Sequence, residues 1–233
     1  MKKTKWLAAC IAACALALVA GCSSGGGDDG GSELPGIEYD AAKWVIEGTT
    51  VVRYTGAEAD VRIPDGVTII GESAFKGCQS LKSVTIPASV KSIGNSAFFQ
   101  CMSLASVEIH GSVKSIGEWA FSQCTSLASV TIPASVTSIG DLAFYQCTSL
   151  ASVTIPDSVN SIGGCAFSQC TSLASVAIPG SVTSIGNSAF EECTSLKEVK
   201  YDGTKEQWEK IDIGSGVFPY GVKIYDKEGK EIK

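Results

Sequence analysis

Ile86-Pro-Ala-Ser-Val-Lys-Ser-Ile-Gly-Asn-Ser-Ala-Phe-Phe-Gln-Cys-Met-Ser-Leu-Ala-Ser-Val-Glu108 is a stretch of 23 residues that the chain on either side nearly repeats. Cysteines recur at Cys78, Cys101, Cys124, Cys147, Cys170 and Cys193, always 23 residues apart. Phenylalanines keep the same interval at Phe75, Phe98, Phe121, Phe144, Phe167 and Phe190. So do Leu81, Leu104, Leu127, Leu150, Leu173 and Leu196. A fixed period between about 20 and 50 residues marks stacked supersecondary units, each unable to bury its apolar side alone. The length of 233 residues therefore does not count closed globular cores, because such an array grows by stacking.

Within one unit the predicted inward set is Ile86, Val90, Ile93, Ala97, Phe98, Cys101, Leu104 and Val107. Leu81-Lys-Ser-Val-Thr-Ile86 ends in period-two alternation, which predicts a strand with one buried face. Val90-Lys-Ser-Ile-Gly94 reads as a second short extended segment closed by a glycine turn. Ala97 to Cys101 is too short for a stable helix and predicts one tight helical turn. The expected fold is a mostly β leucine-rich repeat solenoid, with short strands and tight helical corners. Coils paired by strands lie about 4.8 Å apart, so six repeats make a body on the order of 30 Å long.

The pattern Leu-x-x-Val-x-Ile-Pro-x-Ser-Val-x-x-Ile-Gly-x-x-Ala-Phe-x-x-Cys resembles the BspA-like leucine-rich repeats of bacterial surface proteins, over residues 63–200. Ser89, Ser112 and Ser135 stand where many leucine-rich subfamilies place a ladder asparagine, a departure typical of the BspA-like type. The resemblance implies a surface antigen or adhesin that binds host matrix proteins, other cells or glycans. The alternative it leaves open is a structural or antigenic spacer without a tight ligand. His110-Gly111 replaces Pro-x in the third repeat, which should loosen one turn.

The N-terminus reads as a signal peptide over residues 1–21. Lys2, Lys3 and Lys5 precede an apolar run from Trp6 to Ala20, too short for a comfortable membrane span. Val19-Ala-Gly-Cys22 resembles the bacterial lipobox, which implies cleavage before Cys22 and lipid on its thiol. The expected location is the bacterial cell envelope, on the outer membrane or cell surface. Residues 22–36 hold the lipidated cysteine and a Gly/Ser tether with nothing to bury. Residues 37–62 are expected to form an N-terminal cap, including a hairpin around Gly48. Residues 201–233 are expected to form a C-terminal cap. There Thr204 and Gln207 make a capping box for a helix starting at Lys205, and a hairpin turns near Gly229.

The formal net charge is −6, and loss of the three leader lysines takes it to −9. With no basic cluster, nucleic-acid binding is not expected. Enzyme chemistry is not expected either. His110 is the one histidine, so no two-histidine metal site exists, and there is no G-x-S-x-G elbow. Asp28-Asp29 lack the spacing of a calcium loop. No cofactor, no metal and a monomer are expected. The ladder cysteines should be buried thiols, with vertical disulfides the alternative. Cys165 occupies a variable position expected to face outward, making it the first thiol to react.

Two surfaces stand out as candidates. One is the outward strand row containing Thr85, Glu108, Thr131 and Thr154, with His110 at the strand edge. It is either ordinary strand surface or a flat face for a protein or glycan. The other is Phe99, Trp119, Leu142 and Tyr145, which break the repeat at the corner. They are either tucked between coils or exposed as a partner patch.

Overall fold

A computed structural model describes residues 39–232. The expected signal peptide, lipidated Cys22 and the whole of the tether lie outside the described residues. Two strands open the described chain, β1 (Trp44–Glu47) and β2 (Thr50–Tyr54), paired antiparallel. Gly48 supplies the positive φ of +58° that this tight hairpin needs. The solenoid follows, each coil giving one strand to each of two sheets.

The longer strands are β3 (Asp60–Arg62), β5 (Ser83–Ile86), β7 (Ser106–Ile109), β9 (Ser129–Thr131), β11 (Ser152–Thr154), β13 (Ser175–Pro179), β15 (Glu198–Asp202) and β17 (Lys223–Tyr225). They form an eight-stranded sheet, parallel throughout. The Ser-Ile segments and their counterparts at either end form two-residue strands: β4 (Ile69–Ile70), β6 (Ser92–Ile93), β8 (Ser115–Ile116), β10 (Ser138–Ile139), β12 (Ser161–Ile162), β14 (Ser184–Ile185) and β16 (Asp212–Ile213). With the opening hairpin they build a nine-stranded sheet. Pairing joins identical repeat positions, as in Ser138↔Ser161 and Val130↔Val153. The register follows from the 23-residue period, because a slip by one residue would turn the apolar set outward.

Every residue of the predicted inward set is buried. The phenylalanines stack into one column. Centroid separations run from 4.8 Å at Phe75–Phe98 to 5.3 Å at Phe121–Phe144, with rings at most 15° from parallel. Tyr54 stacks on Phe75 at one end of the column, with Trp44 edge-on beside it. Phe218 stacks on Phe190 at the other end, and Trp208 lies next to it. Trp208 closes the four-residue helix α1 (Lys205–Trp208), which starts at Thr204 with both capping-box bonds in place.

The Ala-Phe corner is a run of turns whose N–H groups alternate between two destinations. Phe98 N donates to Ala120 O of the next coil at 2.7 Å, and Phe99 N donates back to Ser96 O at 3.0 Å. The alternation requires residues in the left-handed region before the alanine and after the corner. Ser96, Trp119, Leu142 and Cys165 have φ between +52° and +59°, and Gln100, Gln123 and Gln146 between +57° and +60°. These non-glycine residues tolerate the strain because bonds to the neighbouring coil hold each backbone in place.

His110 marks the one altered turn. Elsewhere the valine N–H closes on the proline carbonyl, as Val90 N on Pro87 O at 3.1 Å. Here Ser112 N closes on His110 O at 2.9 Å, a shorter loop. Serines do the ladder work expected of asparagine: Ser135 Oγ donates to Val113 O at 2.6 Å and Ser158 Oγ to Val136 O at 2.6 Å.

Near the start of the solenoid, Glu58 accepts from both Tyr54 Oη and Lys43 Nζ. Those two bonds, Lys43 first, hold the Glu58 carboxyl at a pKa of about 2, below its usual 4.5. Burial, aided by the Glu58 bond, pushes the Tyr54 phenol up. The unfolded chain therefore takes up the Glu58 proton at higher pH than the native one. The stabilisation is complete above pH 4.5 and fades as pH falls toward 2. The Tm advantage of the parent over Glu58→Gln should shrink across that window. A difference that stays constant from pH 6 to about 2 would remove Glu58 as the cause.

Candidate recognition surface

The outer face of the eight-stranded sheet carries one row in register, Arg62↔Thr85↔Glu108 and then Thr131↔Thr154↔Ala177↔Lys200↔Tyr225. Glu108, Thr131 and Thr154 are exposed, and Thr85 is half-buried. Alternation along each strand puts them there, since Val107, Val130 and Val153 point into the core. Ser106, Ser129 and Ser152 form a parallel exposed row. Charge sits at the two ends of the face and in one coil between. That coil holds an exposed pair, His110 Nε2 and Glu108 Oε1, 3.1 Å apart. Met102, 44% exposed, belongs to the same coil and takes a position that is threonine in the four coils after it. Sequence reasoning passed over Met102, although its departure from the repeat was visible.

At the corner the residues that break the repeat divide by position. Phe99 and Tyr145 are buried, while Trp119 and Leu142 are half-buried. The Trp119 ring lies edge-on between Phe99 at 6.0 Å and Tyr145 at 6.2 Å, crossing three coils. Lys76 Nζ stands 5.5 Å from the Phe99 ring centre on the far side. Ser122 occupies the repeat position between Phe99 and Tyr145 and is completely buried. Its Oγ has no hydrogen-bond partner among the described residues. The small serine leaves room for the indole. This row is thus mainly packing, with the outer side of Trp119 and Leu142 left to solvent.

Cys165 requires a correction. It was expected to face outward and react first, yet it is 4% exposed. Its position is that of Trp119 and Leu142, where the left-handed backbone lays the side chain across neighbouring coils. A large residue there protrudes, whereas a small thiol is covered. The ladder cysteines are buried thiols, and none of the seven described cysteines forms a disulfide. Cys101, Cys124, Cys147, Cys170 and Cys193 each donate Sγ–H to the phenylalanine carbonyl of the preceding coil, at 3.0–3.2 Å. Burial pushes the Cys124, Cys147 and Cys170 thiols well above their usual range, and that of Cys193 up to about 12. Thiols held protonated in this way are poor nucleophiles.

The BspA-type leucine-rich repeat pattern matches residues 53–171 and 125–224, with six copies. The chain belongs to the BspA-type leucine-rich repeat family. Among solved structures, a leucine-rich repeat protein of T. pallidum is 35% identical, with a TM-score of 0.66. The match covers 74% of this chain and 84% of that one. A leucine-rich cell surface protein of Faecalibacterium prausnitzii is 33% identical, with a TM-score of 0.51. That match covers 76% of this chain but 40% of the longer relative. No curated protein matches the chain. BspA-type proteins are generally repeat scaffolds of the bacterial cell surface. Among the described residues no helix is long and apolar enough to cross a membrane.

Proposed function

We propose that this BspA-type chain is a lipid-anchored recognition module, with the outer face of the eight-stranded sheet as its contact surface. Host matrix proteins or other cells are its partners. The exposed row through Glu108, Thr131 and Thr154 carries the proposal, because it faces solvent and is free of the packing duties that occupy the corner aromatics. The Glu108–His110 pair gives the face one coil with its own chemistry. Membership of a surface family supports display outside the cell. Cys22 supplies the anchor and residues 23–36 the tether, and the module acts as a monomeric scaffold that binds rather than catalyses. The hairpin at Trp44–Tyr54 and the segment around Trp208 act as caps over the terminal rungs.

A second reading, an antigenic spacer, draws on the uniformity of Ser129, Ser152 and Ser175. The two are separated by competition. Soluble Cys22→Ala protein should block attachment of the parent cells to immobilised matrix protein. A variant carrying Glu108→Lys, His110→Ala, Thr131→Lys and Thr154→Lys should compete at least tenfold less well at unchanged Tm. No competition by the unmodified face, or equal competition by the variant, would leave the spacer reading standing.

A further inference from the structure

The corner that bears Trp119 is a different surface from the strand face proposed above, and two adjacent rows run along it. In the row that precedes each alanine, Trp119 and Leu142 are the large apolar residues, and both are half-buried. They occupy the third and fourth of the six coils, the middle of the row, with small residues on either side. The row that follows each phenylalanine starts at Lys76 in the first coil and ends at Glu191 in the sixth, with no charge between. Lys76 lies on this face, its Nζ 5.5 Å from the Phe99 ring centre. Neither Lys76 nor Glu191 forms an ion pair among the described residues.

This face is complementary to itself. Turned antiparallel, a second copy sets its sixth coil on the first coil of this one and its fourth on the third. Lys76 then meets Glu191 of the second copy, and the half turn makes the same pair again five coil spacings away, about 24 Å. At the centre Trp119 meets Leu142 of the second copy, also twice. The residues left half-open to solvent thus cover one another, with the unpaired charges at the two ends. A parallel arrangement would set like coils together and Lys76 beside Lys76, so charge selects the antiparallel one. Self-complementarity of one patch is what a two-fold interface between identical chains requires, and a central aromatic is its usual anchor.

We propose that the Trp119 corner is an antiparallel self-association surface, whose partner is a second copy of this chain. Two Trp–Leu contacts and two exposed ion pairs make a small centre beside the roughly 1,600 Å² that a stable interface buries. The association is accordingly weak. The module is monomeric in dilute solution, and copies pair where they are crowded to about millimolar effective concentration. The strand face stays open in the pair, so this inference does not depend on what that face binds.

Sedimentation equilibrium of the soluble Cys22→Ala protein, from about 10 μM to 1 mM, measures the pairing. The parent's average mass should rise toward that of a dimer over this range. Lys76→Glu should weaken the association at least tenfold at unchanged Tm, because both ends of the pair then carry like charges. Lys76→Glu combined with Glu191→Lys should restore it to within threefold of the parent, which a loss of folding could not do. Trp119→Ser should weaken it as well. A monomer's mass at every concentration would overturn the proposal and leave the corner to another partner. Association unaffected by Lys76→Glu, or not recovered in the double variant, would overturn it too.

Discussion

Phe121→Ala is expected to destabilise the solenoid by about 3–5 kcal/mol, the usual range for deleting a buried aromatic side chain. Phe121 is completely buried and stacks on Phe98 at 5.1 Å and on Phe144 at 5.3 Å. Its loss therefore cuts the column on both sides as well as opening a cavity. In a stacked array, stability is close to a sum of unit terms and nearest-neighbour interfaces. Interrupting two interfaces in the middle should therefore also split the unfolding transition. Urea unfolding measures both effects: a lower midpoint, and a broadened or biphasic curve. A loss no larger than that of the exposed Thr131→Ala, with a single sharp transition, would show that the column does not couple the coils.

Two adjacent glycines provide the second large effect. Gly163→Ala should cost at least about 1–3 kcal/mol, because overpacking against backbone cannot be relieved by a side-chain rotation. Its Cβ would come within 2.5 Å of Asp141 N and 2.6 Å of Gly140 C, both in the preceding coil. Gly164→Ala, one residue on, meets nothing nearer than Asn187 O at 3.5 Å and has no left-handed φ to preserve. It should be neutral or stabilising by up to about 1 kcal/mol, through reduced freedom of the unfolded chain. Thermal melts of the two variants give the comparison. Equal Tm values would mean that the coils are not in contact at Gly163.

The contrast shows how much of the site could be read beforehand. Both residues appear in the sequence simply as a Gly-Gly pair. One glycine repeats at every coil, while the other interrupts a column of Asn, Asp and Glu. That difference was visible, but its consequence, a backbone clash at Gly163 and open space at Gly164, depends on which atoms of adjacent coils meet. The strand face was legible because period-two alternation places Thr131 and Thr154 opposite the buried Val130 and Val153. The corner was less so. Trp119, Leu142 and Cys165 share a repeat position, yet two are half-buried and one is covered, because size and neighbours decide exposure there.

The 23-residue period was enough to establish the solenoid, its register and its buried column. Stacking identical units makes each core contact a contact between like positions, and these can be counted along the chain. The period could not settle what happens where the repeat departs from itself. Whether Phe99 is covered, whether Cys165 reaches solvent and which glycine of a pair leaves room for a side chain all turn on residues one coil away in space. Those neighbours are set by the left-handed backbone at the corner and by ångström-scale approach between coils, which appear only once the coils are stacked.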